Sequence, residues 1–189
     1  MIARILEQTI QEKLGQGKAI IIMGPRQVGK TTLLKQMFTD SNDILWLNAD
    51  EQDTRSLFEN ISATRLKYIF GQKKIVIIDE AQRIENIGLR LKLITDQISD
   101  IQLIATGSSS FDLANKVNEP LTGRKWEYKM YPLSFKEMVN HHGLLDEKRL
   151  IPHRLVYGYY PDVVTHPGSE SEILKQLSDS YLYKDILDW

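Results

Sequence analysis

Residues 24–31, Gly24-Pro25-Arg26-Gln27-Val28-Gly29-Lys30-Thr31, satisfy the pattern G-x-x-x-x-G-K-[ST] at every defined position. With glycine near 7% of average usage, a chance match in a chain of this length is on the order of one in a hundred. The flanks lower that figure. Before the pattern, Ala19-Ile20-Ile21-Ile22-Met23 is a short apolar run rich in β-branched residues, which predicts a buried strand. After it, from Thr31 onward, Leu33, Leu34, Met37 and Phe38 fall on one side of a predicted helix. A glycine-rich turn in this setting aims backbone N–H groups, and the positive end of the helix, at one point. The segment is therefore a candidate phosphate cradle made of Gly24, Pro25, Arg26, Gln27, Val28, Gly29, Lys30, Thr31 and Thr32. Lys30 reaches for the β- and γ-phosphates of a nucleotide, and the Thr31 hydroxyl is a ligand for Mg²⁺.

The rest of the chain repeats the strand-then-helix rhythm. Ile2, Leu6, Ile10 and Leu14 predict an opening helix, which Gly15-Gln16-Gly17 breaks. Further strands are expected at Ile44–Leu47, Ile75–Ile78, Ile101–Ala105 and Lys125–Tyr131, the last ended by Pro132. Residues 54–70 read as mostly helical, and Ile87, Leu91, Ile94 and Ile98 mark another amphipathic helix. Such alternation implies βαβ crossovers and a parallel sheet of five strands with helices on both faces. From Phe135 the β-rich runs stop, and Phe135, Met138 and Val139, then Ile173, Leu177 and Tyr181, predict helices. The expected division is an α/β core over residues 1–134 and a helical subdomain over 135–189.

A magnesium site needs a second element. Ile75-Val76-Ile77-Ile78-Asp79-Glu80 is an apolar strand that ends in two carboxylates. Asp79 is placed to hold Mg²⁺ at the C-terminal edge of the sheet, where ligands bind open α/β folds. Glu80 beside it is the candidate general base for a water molecule. Asp50, Glu51 and Asp53 read as acidic residues capping a helix start, and His141 and His142 as solvated.

Composition removes several alternatives. The chain has 189 residues, a net charge of −1 and no cysteine. Disulfides, thiolate zinc sites, iron–sulfur clusters and a cysteine nucleophile are excluded. Without a basic excess, nucleic-acid binding is not indicated by this segment. The N-terminus lacks the apolar core of a signal peptide, and no apolar run approaches the ~20 residues of a membrane span. A cytoplasmic location is expected.

Taken in order, GPRQVGKTT, IVIIDEAQR, LIATGSSS and LTGRKWEYKMYPLSFKE resemble the AAA-type branch of the additional-strand P-loop ATPases. More narrowly, the chain resembles a bacterial and archaeal AAA family whose members usually carry a C-terminal module of unknown function. The similarity continues through GYYPDVV and SYLYKDILD, so an N-terminal portion or a short form of such a protein is expected. The resemblance implies Mg²⁺-dependent ATP hydrolysis, with ATP and ADP as ligands and a small helical lid that answers to nucleotide state. It places a polar sensor at the end of the fourth strand, Ser108 or Thr106. It also implies that Arg124 acts across a subunit interface in a homo-oligomer, and that Pro161 of Gly158-Tyr159-Tyr160-Pro161 packs on the adenine. The effector or client is not indicated. Two other functions fit the phosphate cradle: a nucleotide-operated switch with slow hydrolysis, and a small-molecule kinase. Kinases do not need a water-activating glutamate beside the magnesium aspartate, so the Asp79-Glu80 pair favours hydrolysis.

Overall fold

The computed structural model describes residues 2–39, 41–59, 62–107 and 117–187. Its contacts divide the chain into two compact units, Ile5–Met130 and Tyr131–Trp189 together with Met1–Arg4.

In the first unit, helix α1 (Ile5–Gln11) precedes β1 (Ala19–Met23), α2 (Lys30–Met37), β2 (Ile44–Asn48), α3 (Gln52–Leu57) and α4 (Ala63–Phe70). Strand β3 (Ile75–Asp79), a 3₁₀ turn (Ala81–Arg83), α5 (Ile87–Gln97), β4 (Gln102–Gly107) and β5 (Lys125–Lys129) follow. The five strands form one sheet in the order β2-β3-β4-β1-β5, and every neighbouring pair is parallel. This is the five-stranded parallel sheet expected from the sequence, with β4 inserted between the two strands that carry the motifs. Central strands need apolar side chains on both faces. Accordingly Ile21, Met23, Val76, Ile78 and Ala105 pack into one core with Phe58, Leu66 and Phe70 of the α3–α4 stretch and with Ile87, Leu91 and Ile94 of α5. Their alternates Ile20, Ile22, Ile77 and Ile104 point to the other face and are equally buried.

Differences from the sequence reading have local causes. The opening helix is shorter than its periodicity: Ile2 precedes it, and Lys13 N–H bonds back to the Ile10 carbonyl in a tighter turn before Gly15 takes a left-handed conformation. The helical stretch 54–70 is two helices, because the Ser62 side chain accepts from Arg65 N–H and caps a new start. Strand β4 runs on to Gly107, since its ladder with β1 continues through Ile22 opposite Thr106 and Met23 opposite Gly107. Strand β5 stops at Lys129, short of Tyr131.

The second unit is helical: α6 (Phe135–His142), α7 (Leu144–Tyr157), α8 (Pro161–Thr165) and α9 (Glu170–Leu187). A capping box opens α6, in which Ser134 accepts from Glu137 N–H and the Glu137 carboxylate accepts from Ser134 N–H. Glu137 also accepts from Arg4 Nε at 3.0 Å, which ties the first residues of the chain to this helix. At its centre lies Glu147, fully buried on α7. It bonds Tyr159 Oη at 2.7 Å and His142 Nε2 at 2.8 Å, with Arg154 Nε at 3.5 Å. Burial would raise the Glu147 carboxyl, but the Tyr159, His142 and Arg154 contacts outweigh it and hold it below the usual range. Burial and this carboxylate push the Tyr159 phenol up to about 12. His142 is thus half-buried and bonded, where the sequence suggested a solvated side chain; its partner sits five residues on, across the α6–α7 turn at Gly143.

Candidate functional site

The phosphate cradle is built around two requirements for glycine. A Cβ on Gly24 would lie 2.1 Å from the Met130 carbonyl oxygen, an impossible approach for any other residue. That carbonyl is itself held, because Met130 N–H bonds the Met23 carbonyl at 2.7 Å. Gly29 has φ +94° at the N-cap of α2 and offers no side chain to cap it. The first N–H groups of α2 are therefore left to an outside acceptor, the arrangement that suits a phosphate. Gln27 also adopts a left-handed conformation (φ +60°) and is exposed, while Val28 is buried and anchors the loop.

Lys30 is 5% exposed and folds back over the loop, donating from Nζ to the carbonyls of Gly24 and Pro25 at 2.9 Å each. An ammonium has three donors, so one N–H is left for a further acceptor. Burial lowers its pKa; the carboxylates of Glu80 and Asp79 work against that shift, and Arg26 adds to it.

Strand β3 brings the acidic pair to the same place. Thr31 Oγ1 donates to Asp79 Oδ2 at 2.8 Å, joining the start of α2 to the end of β3. The other oxygen, Asp79 Oδ1, accepts from Thr106 Oγ1 on the intervening β4. Thr106 is fully buried, and its hydroxyl oxygen in turn accepts from Glu80 N–H at 3.2 Å. One β4 hydroxyl thus fixes both the Asp79 carboxylate and the Glu80 backbone. Glu80 has φ +53°, and its Oε2 accepts from Gln82 Nε2 at 2.6 Å.

These donors suit a magnesium ion. Among the described residues no group of three or more His, Cys, Asp and Glu side chains is placed to hold a metal. One carboxylate and one hydroxyl, Asp79 and Thr31, are instead the hard oxygen set that Mg²⁺ uses together with water and substrate phosphates.

Of the residues singled out from sequence, the structure gathers Gly24 through Thr31 with Asp79 and Glu80; Thr32 follows on α2 and is exposed. Arg124 is not brought to this loop. It precedes β5 at the N-terminal end of the parallel strands, whereas the loop follows β1 at their C-terminal end; there its carbonyl accepts from Ala19 N–H and its Nε pairs with Asp96 at 2.5 Å. Pro161 belongs to the helical unit and forms the first turn of α8. Ser108 lies outside the described residues. Gln82 is the functional candidate absent from the sequence reading, whereas Thr106 stands there only as the alternative to Ser108 for the polar sensor. The signal for Thr106 is a hydroxyl directly after the apolar run Leu103-Ile104-Ala105, since a buried polar group needs partners. Asp50, read as a helix cap, instead pairs with Arg83 Nε at 3.2 Å, and Glu51 takes the N-cap position without a side-chain bond.

Residues 16–139 match the model of a family described as "AAA domain". The chain belongs to this AAA family. Two relatives that match most of the chain are uncharacterized proteins. One, from Methanocaldococcus jannaschii, is 24% identical over 98% of this chain and 46% of its own. The other, from Haemophilus influenzae, is 31% identical over 88% of this chain and 45% of its own. The chain thus spans a little under half the length of these relatives. The AAA fold is also similar to a solved Walker-type ATPase of Pyrococcus abyssi, with a TM-score of 0.63 at 16% identity over 100% of this chain and 75% of that one. A second solved neighbour is domain III of the replication initiation protein DnaA from Thermotoga maritima. Its TM-score is 0.52 at 14% identity, over 76% of this chain and 73% of that one. At such identities these structures speak for the AAA fold alone.

Proposed function

We propose that the chain is an Mg²⁺-dependent ATPase in which Lys30, Thr31, Asp79 and Glu80 carry the reaction. The observation that supports this most is the 2.8 Å bond between Thr31 and Asp79, which unites phosphate loop and acidic strand in one oxygen-lined site. The N–H groups at the start of α2 and the remaining Lys30 proton bind the β- and γ-phosphates. Thr31 and Asp79 hold Mg²⁺, which neutralises charge on the phosphate oxygens when bound. Glu80 takes a proton from water as the water oxygen bonds the γ-phosphorus and the bond to the bridging oxygen breaks, releasing ADP and phosphate. Thr106 occupies the polar position at the end of β4 and keeps Asp79 and Glu80 in register.

The test is phosphate release from ATP and Mg²⁺ by the purified chain with no other acceptor present. Steady release that chelation of Mg²⁺ stops is expected. Phosphate transfer only after an acceptor alcohol is added would overturn hydrolysis in favour of a kinase.

The helices of residues 135–189 are proposed as the lid, with Pro161 against the adenine, coupling nucleotide state to a partner or effector module. Arg124 is proposed to serve a neighbouring copy, because it lies at the N-terminal end of the strands, away from its own phosphate loop at their C-terminal end. On that reading, specific activity rises several-fold with protein concentration, while Arg124→Ala gives a low and flat profile. A wild-type profile that is flat across the assembly range would remove Arg124 from the mechanism.

A further inference from the structure

Gln82 Nε2 donates to Glu80 Oε2 at 2.6 Å, a contact between residues only two apart. Side chains at that spacing do not ordinarily meet on a helix. Here the left-handed Glu80 (φ +53°) starts the 3₁₀ turn, which Arg83 N–H closes onto the Glu80 carbonyl at 3.0 Å. The turn is held at both ends and in the middle. Glu80 N–H is bonded to Thr106, Ala81 is fully buried, and Arg83 is paired with Asp50. The Gln82 amide therefore approaches the Glu80 carboxylate from a fixed frame.

A glutamate side chain on its own samples several rotamers, few of which would face a nucleotide-bound water. We propose that Gln82 is a positioning residue for water activation. By engaging Oε2, it holds the Glu80 carboxylate in one orientation and leaves Oε1 to accept the proton of the attacking water. This rests on the reading of Glu80 as general base. The proton passes from water to Glu80 Oε1 while the water oxygen bonds the γ-phosphorus and the bridging oxygen leaves with ADP. Gln82 gains and loses nothing, because a carboxamide is not basic. A neutral donor is suited to this role: it orients the base without competing for the proton, and it adds no charge beside Asp79 and Lys30.

The experiment compares Gln82→Leu and Gln82→Glu in the full chain by single-turnover and steady-state phosphate release. Leucine has similar bulk without a donor. Glutamate keeps the shape and sets an acceptor against an acceptor, so a space-filling role would tolerate it. Both variants are expected to lose about ten- to 100-fold in kcat, the scale on which small misplacements act. KM and the Kd for ATP should stay within about twofold, because the amide is not aimed at the nucleotide. In a Glu80→Gln background, adding Gln82→Leu should change the residual rate by less than about twofold, since a residue acting through Glu80 has nothing left to orient. Wild-type kcat in Gln82→Glu, a rise in kcat, or an equal further loss in the Glu80→Gln background would each overturn the proposal. If Gln82→Leu fails to fold, Gln82→Glu carries the same comparison. Failure of the general-base reading shows separately, as Glu80→Gln turning over at the wild-type rate.

Discussion

Glu80→Gln will retain ATP and lose hydrolysis. The amide keeps the shape of the side chain, and neither the Thr106 bond to Glu80 N–H nor the Asp79 carboxylate depends on its charge. The phosphate loop and the metal-holding pair therefore stay as they are, and only the proton acceptor is lost. General-base catalysis is typically worth about 10²- to 10⁴-fold, so single-turnover phosphate release should fall by that factor. The Kd for ATP, measured by titration, should change by no more than a few-fold. Unchanged turnover would remove Glu80 from the mechanism. A loss of affinity equal to the loss of rate would show that Glu80 matters to binding instead of chemistry.

Lys30→Ala should fail earlier, at binding. The ammonium is the one cation buried in the loop, and charge-assisted hydrogen bonds contribute about 1.5–3 kcal/mol each. Affinity for ATP should thus fall by roughly one to two orders of magnitude per bond lost. The substitution also strips the Gly24 and Pro25 carbonyls of their common donor, so a lower melting temperature without nucleotide is expected as well. The two effects separate in one titration. ATP raises the Tm of the wild type by mass action and should barely move that of the variant. A variant stabilised by ATP as strongly as the wild type would exclude Lys30 from phosphate recognition.

How much of this was legible in the chain depends on whether the signal is local. β1 and β3 could be read directly, because Ile20-Ile21-Ile22 and Val76-Ile77-Ile78 are β-branched and buried on both faces. The loop between β1 and α2 was legible too, since its glycines, lysine and threonine have fixed spacing. The order of the strands was not written in any one segment. Only when β4 lies between β1 and β3 does Thr106 reach Asp79 across 27 positions of sequence. Until then it is only the alternative to Ser108 at a strand end. Gln82 was hidden for a different reason. Its contact depends on a left-handed backbone at Glu80, a conformation that glutamate rarely adopts and that no periodicity announces. Asp50 and Arg83 follow different strands, and their pairing needs β2 beside β3.

The contact between Gly24 and Met130 bears on how this loop will look in a mutational scan. Replacing Gly24 by alanine would score as severely as losing a phosphate ligand, yet its primary fault would be steric collision with a carbonyl more than a hundred residues away. Part of the intolerance of the nucleotide loop is thus imposed from outside it. Met130 is the last residue of the α/β unit, so that constraint is exercised by the point where the chain leaves the sheet. A compensating change near Met130, not a change in the loop, is where suppressors of Gly24 variants should be sought.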